Sequence, residues 1–331
     1  MSHFVQQQHT VNAFSSSDSW VILSPIEQSI KQKIEAVGVP LKDWDIQINY
    51  GIKTGCNEAF IINTDKRNEI LANCKDEAER KRTEELIRPI LRGRDIKRYG
   101  YEWAGLWMIA TFPARHYDIE QYPAVKEYLL SFAEDYLRKN GCEWVVDDYL
   151  ADFCKQKLSQ TGKYIVINGN ELTINGKKEK ARKKTSNKWF ETQDSISYWE
   201  DFDKPKIMWK RIGSILRFCY NENGAFGLDS TCFATGRDTE FICSLLNSPM
   251  GHYLLKDSPK TGTGDLLVSV QAIEPIKAPH ISESVSLKFK SLLTNICSKI
   301  DEDKEKEITN EIFSLYKLNS EECEYIVKNY S

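Results

Sequence analysis

The stretch Trp44–Phe60, WDIQINYGIKTGCNEAF, constrains the fold more than any other part of this 331-residue chain. Its first residues alternate polar and apolar side chains, and this alternation predicts a half-buried strand. Gly51 then allows the chain to turn, and the apolar residues from Ala59 onward predict the start of a second strand. The stretch therefore predicts two strands joined by a short, polar, glycine-containing loop.

The loop between these strands carries Lys53, Thr54 and Asn57, which are candidates for contact with DNA. A lysine neutralises a phosphate, glycine lets a backbone approach closely, and asparagine can pair with adenine through two hydrogen bonds. A polar hairpin with no ligand has the same composition, and local chemistry alone favours that alternative. For Asn57, a hydrogen bond to its own turn competes with base reading.

Five ordered segments carry a resemblance to a known family. They are residues 51–62 (GIKTGCNEAFII), 87–99 (IRPILRGRDIKRY), 187–191 (NKWFE), 204–209 (KPKIMW) and 241–255 (FICSLLNSPMGHYLL). In this order they resemble the TaqI-like C-terminal specificity domain of type II restriction-modification enzymes that carry an adenine-N6 DNA methyltransferase. The resemblance runs from about Ser19 to Pro279, and several segments in order are more specific than any single motif.

This resemblance implies that the chain recognises double-stranded DNA for catalytic domains of the same or an adjacent chain. The sequence has no Asn-Pro-Pro or Asp-Pro-Pro motif, no glycine-rich cofactor or phosphate loop, and no visible PD-(D/E)xK nuclease site. We therefore expect no catalytic residues and no cofactor in this chain. S-adenosylmethionine and Mg²⁺ are expected only in the methyltransferase and nuclease domains of the parent enzyme.

A dense basic run near the middle of the chain is the main electrostatic argument for DNA contact. It sets the cations Lys177, Lys178, Lys180, Arg182, Lys183, Lys184 and Lys188 against the single anion Glu179. Each neutralised phosphate releases a counterion, so such a cluster gives an affinity that falls steeply with salt. A solvated basic loop is the alternative. At the end of this run, Asn187 is either a base reader or the start of a strand.

Two further stretches supply candidate DNA contacts. The first contains Arg94, Lys97 and Arg98. An internal ion pair between Arg94 and Asp95 could hold this turn while a neighbouring cation reaches DNA, and a purely structural salt-bridge cluster is the alternative. The second stretch, KTGTGD, begins with Lys260 and Thr261, and a plain glycine-rich loop competes there with a phosphate contact.

The elements predicted along the chain give an α+β fold with a mixed, largely antiparallel sheet, flanking helices and a helical C-terminal tail. A capping box at Ser24–Glu27 opens a first helix, and helical spacing predicts Pro123–Lys139 as another. We also predict a helix at Asp148–Leu158 and strands at Ile215–Cys219 and Leu266–Val270. The predicted divisions are a flexible lead-in over 1–18, a DNA target recognition domain over 19–281 and a helical segment over 282–331.

Composition limits the remaining classes of protein. The net charge of −3 argues against a uniformly basic nucleic-acid binder but is compatible with a local basic face. The nine cysteines form no CxxC pair, so neither a disulfide framework nor a zinc site is expected. No apolar run approaches the roughly 20 residues that span a bilayer, and the N-terminus lacks a secretory signal. We expect a cytoplasmic protein with no membrane partner.

A protein-interaction scaffold is the alternative function from a different class. In that case the C-terminal helices from Ser282 pack on a partner subunit, and the basic loops are incidental. Acidic residues outnumber lysines between Asp301 and Glu307, and an acidic turn repels phosphate. We therefore expect this segment to contact the rest of an enzyme rather than DNA.

Overall fold

The computed structural model describes residues 23–139, 159–160, 163–168, 171–174, 177–180, 186–298, 300 and 302–331. The α-helices of these residues are α1 (Pro25–Val37), α2 (Asn57–Phe60), α3 (Thr64–Ala72), α4 (Glu77–Leu86), α5 (Pro123–Lys139), α6 (Thr239–Asn247), α7 (Pro249–Leu254), α8 (Val270–Ile273), α9 (Glu283–Ser298), α10 (Glu302–Leu315) and α11 (Ser320–Tyr330). The strands are β1 (Gly38–Pro40), β2 (Ile46–Tyr50), β3 (Ile61–Asn63), β4 (Ile87–Leu91), β5 (Leu106–Ile109), β6 (Ser159–Gln160), β7 (Lys163–Asn168), β8 (Glu171–Ile174), β9 (Lys177–Lys180), β10 (Lys206–Lys210), β11 (Ile212–Gly213), β12 (Phe218–Asn221), β13 (Phe226–Gly227), β14 (Thr231–Gly236), β15 (Leu266–Leu267) and β16 (Lys277–Pro279). The predicted α+β fold is confirmed.

The central sheet has four antiparallel strands in the order β12–β10–β14–β2. Its strand β10 is buried on both faces. Ile207 and Trp209 point into the largest hydrophobic cluster, whereas Met208 belongs to a second cluster on the opposite face. A strand with apolar neighbours on both faces has a continuous apolar sequence rather than an alternating one, and this explains the uninterrupted run IMW in β10.

The second sheet has the order β13–β4–β5–β3, with β13 parallel to β4 and the other pairs antiparallel. The two strands predicted on either side of the Lys53 loop are present as β2 and β3, but they do not pair with each other as a hairpin. Strand β2 pairs with β14 in the central sheet, and β3 pairs with β5. The cause is α2, a helical turn in the predicted loop, because its buried Ala59 and Phe60 direct the chain into a different cluster.

Other predicted elements are present, some of them with shifted ends. Helices α1 and α5 are confirmed, and Ser24 caps α1 through the predicted capping box with Glu27. The strand predicted at Ile215–Cys219 begins and ends later, as β12 (Phe218–Asn221). The strand predicted at Leu266–Val270 is shortened to β15, because Val270 begins the helical turn α8. Strands β6 to β9 form an antiparallel sheet in chain order. The predicted lead-in and the helix predicted at Asp148–Leu158 lie outside the described residues.

The C-terminal helices α9 to α11 pack on the same core as the central sheet. The ring of Phe289 in α9 lies 5.0 Å from that of Phe241 in α6. The carboxylate of Glu322 in α11 accepts hydrogen bonds of 2.6 Å from both Ser29 and Lys33 of α1. A boundary at residue 282 would therefore cut through this core.

None of the helices in the described part of the chain is long and apolar enough to cross a bilayer.

Lys206, at the start of β10, is a fully buried cation. Its ammonium group donates to the carbonyl oxygen of Phe202 at 2.6 Å and to Oδ1 of Asn221 at 3.0 Å. Burial lowers its pKa from 10.5 to about 8. Because the unfolded chain then binds more protons than the folded chain between these two values, the contribution of Lys206 to stability should rise with pH in that window.

We predict that the pH dependence of unfolding will differ between the wild-type protein and the variant Lys206→Met. Relative to the variant, the wild-type free energy of unfolding should increase by about 2 kcal/mol as the pH is raised from about 7.5 to about 9.5. Denaturant titrations at several pH values in this window measure the difference directly. Parallel pH profiles for the two proteins would show that the lysine pKa is not lowered in the folded state.

Candidate nucleic-acid interface

Several predicted DNA-contacting stretches meet at one end of the central sheet. The loop after β2 is fixed there by the amide of Gly51, which donates to the carbonyl oxygen of Thr231 at 3.0 Å. A Cβ atom on Gly51 would lie 2.0 Å from the carbonyl oxygen of Leu228, so only glycine allows this approach. The segment around Asp194 runs beside the loop, since its amide donates to the carbonyl oxygen of Lys53 at 3.1 Å.

A groove of about 660 Å³ opens between these two segments. We call it the Lys53 groove, and its lining includes Tyr50, Lys53, Asp194, Tyr198, Arg211 and Asp229. One carboxylate oxygen of Asp194 accepts a hydrogen bond of 3.0 Å from the amide of Lys53. Burial raises the pKa of Asp194, while the amide and the charge of Lys53 act in the opposite direction. The lining of the groove therefore combines cationic groups with carboxylate acceptors.

Exposed cations from three segments surround this end of the sheet. Lys53 and Arg94 are exposed, and so is Lys210 at the end of β10. The turn that carries Arg94 is held beside the start of β14, because the amide of Gly93 donates to the hydroxyl of Ser230 at 3.0 Å. Among the described residues, no carboxylate lies within ion-pair distance of Lys53, Arg94, Lys210 or Arg211. These charges are therefore free to neutralise the phosphates of a ligand.

The loop residues Thr54 and Asn57 hold the turn together. Thr54 is fully buried, and its hydroxyl donates to Oδ1 of Asn57 at 2.6 Å and accepts from the amide of Cys56 at 3.2 Å. A fully buried side chain offers no surface to a duplex, so Thr54 is removed from the candidate contacts. Asn57 is exposed but uses its side-chain oxygen within the turn, as the structural alternative predicted. Lys53 stays in the candidate interface.

The predicted ion pair between Arg94 and Asp95 is wrong. Asp95 pairs instead with Arg92, whose Nη2 and Nε donate to the two carboxylate oxygens at 2.7 and 2.9 Å. These two bonds form a bidentate pair, and they hold the pKa of Asp95 below its usual range against the opposing effect of burial. The correction leaves Arg94 exposed and available, which strengthens its place in the candidate interface.

Lys97 and Arg98 have internal partners. The ammonium group of Lys97 lies 3.1 Å from the carboxylate of Glu102. The guanidinium of Arg98 lies 2.7 Å from the carboxylate of Glu305 in α10 and donates to the carbonyl oxygen of Asn247 at 2.8 Å. Arg98 therefore links the C-terminal helices to α6, and the structural salt-bridge alternative describes these two residues better than DNA contact.

The predicted basic run lies partly outside the described residues. Arg182, Lys183 and Lys184 lie outside the described residues, and Lys177, Lys178 and Lys180 are placed as backbone in strand β9. Asn187 does not start a strand, and its amide donates to the carbonyl oxygens of Thr192 and Gln193 at 2.8 and 2.9 Å. Lys188 is exposed, and its ammonium group lies 3.5 Å from the carbonyl oxygen of Tyr117.

The hairpin that contains Lys260 and Thr261 lies beside strand β11, because β11 pairs with β15 and Lys260 forms a bridge with Leu266. Lys260 is exposed, whereas the Thr261 hydroxyl shares a hydrogen bond of 2.8 Å with Thr263. Lys260 is therefore the stronger of these two candidate contacts.

Sequence analysis missed Asp194, Lys210 and Arg211. Lys210 and Arg211 follow the apolar run of β10, and a pair of cations at the end of a buried strand was the available signal. Asp194 gave no local signal, because it becomes part of the groove only through pairing with the distant Lys53 loop. Within the described ranges, no group of three or more histidine, cysteine, aspartate or glutamate side chains is arranged to hold a metal ion.

No protein-family model matches the sequence, and no curated protein sequence matches it significantly. Solved structures of two restriction enzymes are among those that align with this chain. The type IIL restriction-modification enzyme MmeI in complex with DNA aligns with a TM-score of 0.50 and 9% identity, over 89% of this chain and 37% of that chain. The type IIG restriction endonuclease BpuSI aligns with a TM-score of 0.45 and 11% identity, over 88% of this chain and 33% of that chain. This chain thus spans about a third of the length of each enzyme, and at 9% identity the likeness to MmeI concerns the fold alone.

Proposed function

We propose that this chain recognises double-stranded DNA as the target recognition part of a restriction-modification enzyme of the TaqI-like type. Methylation and cleavage would belong to other domains, of the same or an adjacent chain, which would bind S-adenosylmethionine and Mg²⁺. The observation that carries the proposal is that Lys53 and Arg211 line one groove, while Arg94 and Lys210 are exposed at the same end of the central sheet. The fold similarity to an enzyme solved in complex with DNA agrees with it.

The chemistry of the Lys53 groove suits a duplex better than it suits an isolated anion. Cations neutralise phosphates and set the orientation of the protein, but they carry no sequence information. Carboxylates repel phosphate, so Asp194 and Asp229 in the lining of the groove would be unfavourable if only a phosphate entered. Facing a base edge, the same carboxylates can accept hydrogen bonds from the exocyclic amino group of cytosine or adenine. The cations therefore suit contact with phosphates and the carboxylates suit hydrogen bonds to bases, and a sequence-specific DNA-binding protein makes both kinds of contact.

A salt titration of duplex binding tests this proposal. We expect the wild-type chain to bind a random-sequence duplex at low salt, with an affinity that falls as salt rises. The double variant Lys53→Ala/Arg211→Ala should lower the slope of log affinity against log salt by about 2, because each phosphate contact accounts for about one unit. The matched control Lys31→Ala removes an exposed cation on α1 that does not line the groove, and it should leave the slope unchanged.

The outcome that contradicts the proposal is a double variant that folds and keeps the wild-type affinity and slope. Such a result would remove the Lys53 groove from any DNA interface. Circular dichroism and thermal unfolding of each variant establish that it is folded before binding is compared.

A protein-interaction scaffold is the second candidate. It is favoured by another groove, of about 710 Å³, whose lining includes Phe313 of α10 and Val327 of α11, and Val327 is 43% exposed. We place it second because the inner faces of these helices are already covered by the core of this chain. The same titration separates the two candidates, since a scaffold would show no salt-dependent duplex binding.

A further inference from the structure

We propose that Ile215 is an apolar wedge that enters the base stack of a bound duplex, so that the chain distorts the DNA that it reads. The proposal rests on the DNA-binding function proposed above. It adds a mechanism, because a side chain that separates neighbouring bases makes recognition depend on how easily the sequence deforms as well as on its base edges.

Ile215 stands at the tip of a short turn that is anchored at both ends. The side chain is 61% exposed. On one side, β11 is fixed by its pairing with β15. On the other side, Leu216 packs against the largest hydrophobic cluster, and β12 begins two residues later. Because its neighbours are held in place, the turn presents Ile215 outward in a defined position.

The charges around Ile215 are those of a nucleic-acid contact. The segment 210–217 contains Lys210, Arg211 and Arg217 and no acidic residue. The Lys210 side chain runs along β11, since a Cβ atom on Gly213 would lie 3.4 Å from its ammonium nitrogen. Among the described residues, no carboxylate forms an ion pair with any of these three cations. Phosphates on either side of an inserted side chain would therefore meet unpaired positive charge.

The hairpin beside this turn adds to the same surface. The pairing of Gly213 with Leu266 places the Lys260 hairpin next to the turn, and Lys260 is exposed and also without an ion pair among the described carboxylates. Asp265 is the acidic residue of that hairpin, and its backbone carbonyl accepts the amide of Thr261 at 2.8 Å. Lys260 and the three cations of the segment 210–217 thus outnumber Asp265, the acidic residue of this hairpin.

Exposure alone would not support this inference, because single exposed aliphatic side chains are common on protein surfaces. Leu287 on α9 shows the difference. It is 62% exposed, but the neighbouring cation Lys288 is already paired with Glu311. Architectural DNA-binding proteins insert isoleucine, leucine or phenylalanine between base steps while flanking cations hold the backbone, and the unstacking that costs a few kcal/mol is offset by these contacts. Ile215 has this environment and Leu287 does not.

Fluorescence of 2-aminopurine tests the wedge, because the emission of this base rises when it loses its stacking neighbours. The probes are short duplexes with 2-aminopurine at pyrimidine–purine steps, which deform most easily. On binding, the wild-type chain and the control Leu287→Ala should both raise the emission. Ile215→Ala should lose most of this rise while keeping the wild-type salt slope, since it retains every cation.

The possible results separate this inference from the proposed function. An Ile215→Ala complex with the full fluorescence rise overturns the wedge, and so does a wild-type complex that binds duplex without any rise. In both cases duplex binding itself is still observed, and Ile215 would then be a candidate for contact with a protein partner. A folded wild-type chain that binds no duplex at low salt overturns both the wedge and the proposed function.

Discussion

Removal of residues 283–331 should leave a chain that no longer unfolds cooperatively. The deletion takes away helices α9 to α11, which fill one side of the largest hydrophobic cluster. The buried side chains lost are Phe289, Leu292, Leu293, Ile296, Ile308, Ile312, Phe313, Tyr316 and Ile326. Burial of each is worth about 1.5–3 kcal/mol, so their sum of about 14–27 kcal/mol matches or exceeds the roughly 5–15 kcal/mol by which domains are usually stable. Thermal unfolding followed by circular dichroism measures the outcome.

A matched pair of substitutions in α9 tests the same interpretation without deleting any backbone. Phe289→Ala should lower the free energy of unfolding by about 3–5 kcal/mol, because the ring is fully buried against Phe241. Leu287→Ala, two residues earlier and mostly exposed, should change it by less than about 0.5 kcal/mol. A truncated chain that melts cooperatively near the wild-type temperature would show that the C-terminal helices form a separate unit.

This packing changes how the C-terminal helices can take part in assembly. The sequence predicted that they contact the rest of an enzyme, and their inner faces in fact contact this chain. Any surface for another domain must therefore be an outer one, such as the groove that includes Val327. Substitutions on that outer surface test the assembly prediction, since they spare the core that a truncation destroys.

Elements with local signals could be predicted from the sequence. Helix α1 begins at Pro25 because Ser24 and Glu27 form a capping box, and both halves of that signal lie within four residues. Helix α5 was predicted with its observed ends because its apolar residues repeat at helical spacing. In each case the residues that decide the structure are neighbours in the chain, so periodicity and capping were sufficient.

Pairing between distant segments could not be predicted in this way. Strand β2 is followed by β3 in the chain, yet its partner is β14, so that Ala234 pairs with Ile48 across nearly two hundred residues. Nothing in the local sequence of β2 identifies this partner. The same limit applies to the candidate site, because Asp194 enters the groove only through the bonds that it makes with Lys53. The candidate loops were recognised by composition, but their meeting at one end of a sheet is a property of the fold.

The segment LLNSPMG, part of the sequence resemblance, has a structural explanation. Asn247 ends α6 and is fully buried, and its amide nitrogen donates to the carbonyl oxygens of Phe218 and Cys243 at 2.7 and 3.0 Å. Its side-chain oxygen accepts from the amide of Phe218 at 3.1 Å. Ser248 then caps α7, and a Cβ atom on Gly251 would lie 2.2 Å from the carbonyl oxygen of Leu245. Asn247 thus forms hydrogen bonds with both the backbone N–H and the backbone C=O of Phe218, the first residue of β12.

The near-isosteric variant Asn247→Asp should therefore be strongly destabilised at neutral pH, by about 3–5 kcal/mol. A carboxylate cannot donate to the Phe218 carbonyl, and ionisation would bury an unpaired charge. A protonated carboxyl can donate, so the folded state should raise the pKa of this new group. Because the folded chain then binds more protons than the unfolded chain, the loss of stability should shrink as the pH falls toward about 4.

The exposed control Asn310→Asp in α10 should lack this recovery of stability at low pH. Denaturant titrations at neutral and acidic pH measure both variants, and an Asn247→Asp deficit independent of pH would mean that the lost amide does not bridge α6 and β12.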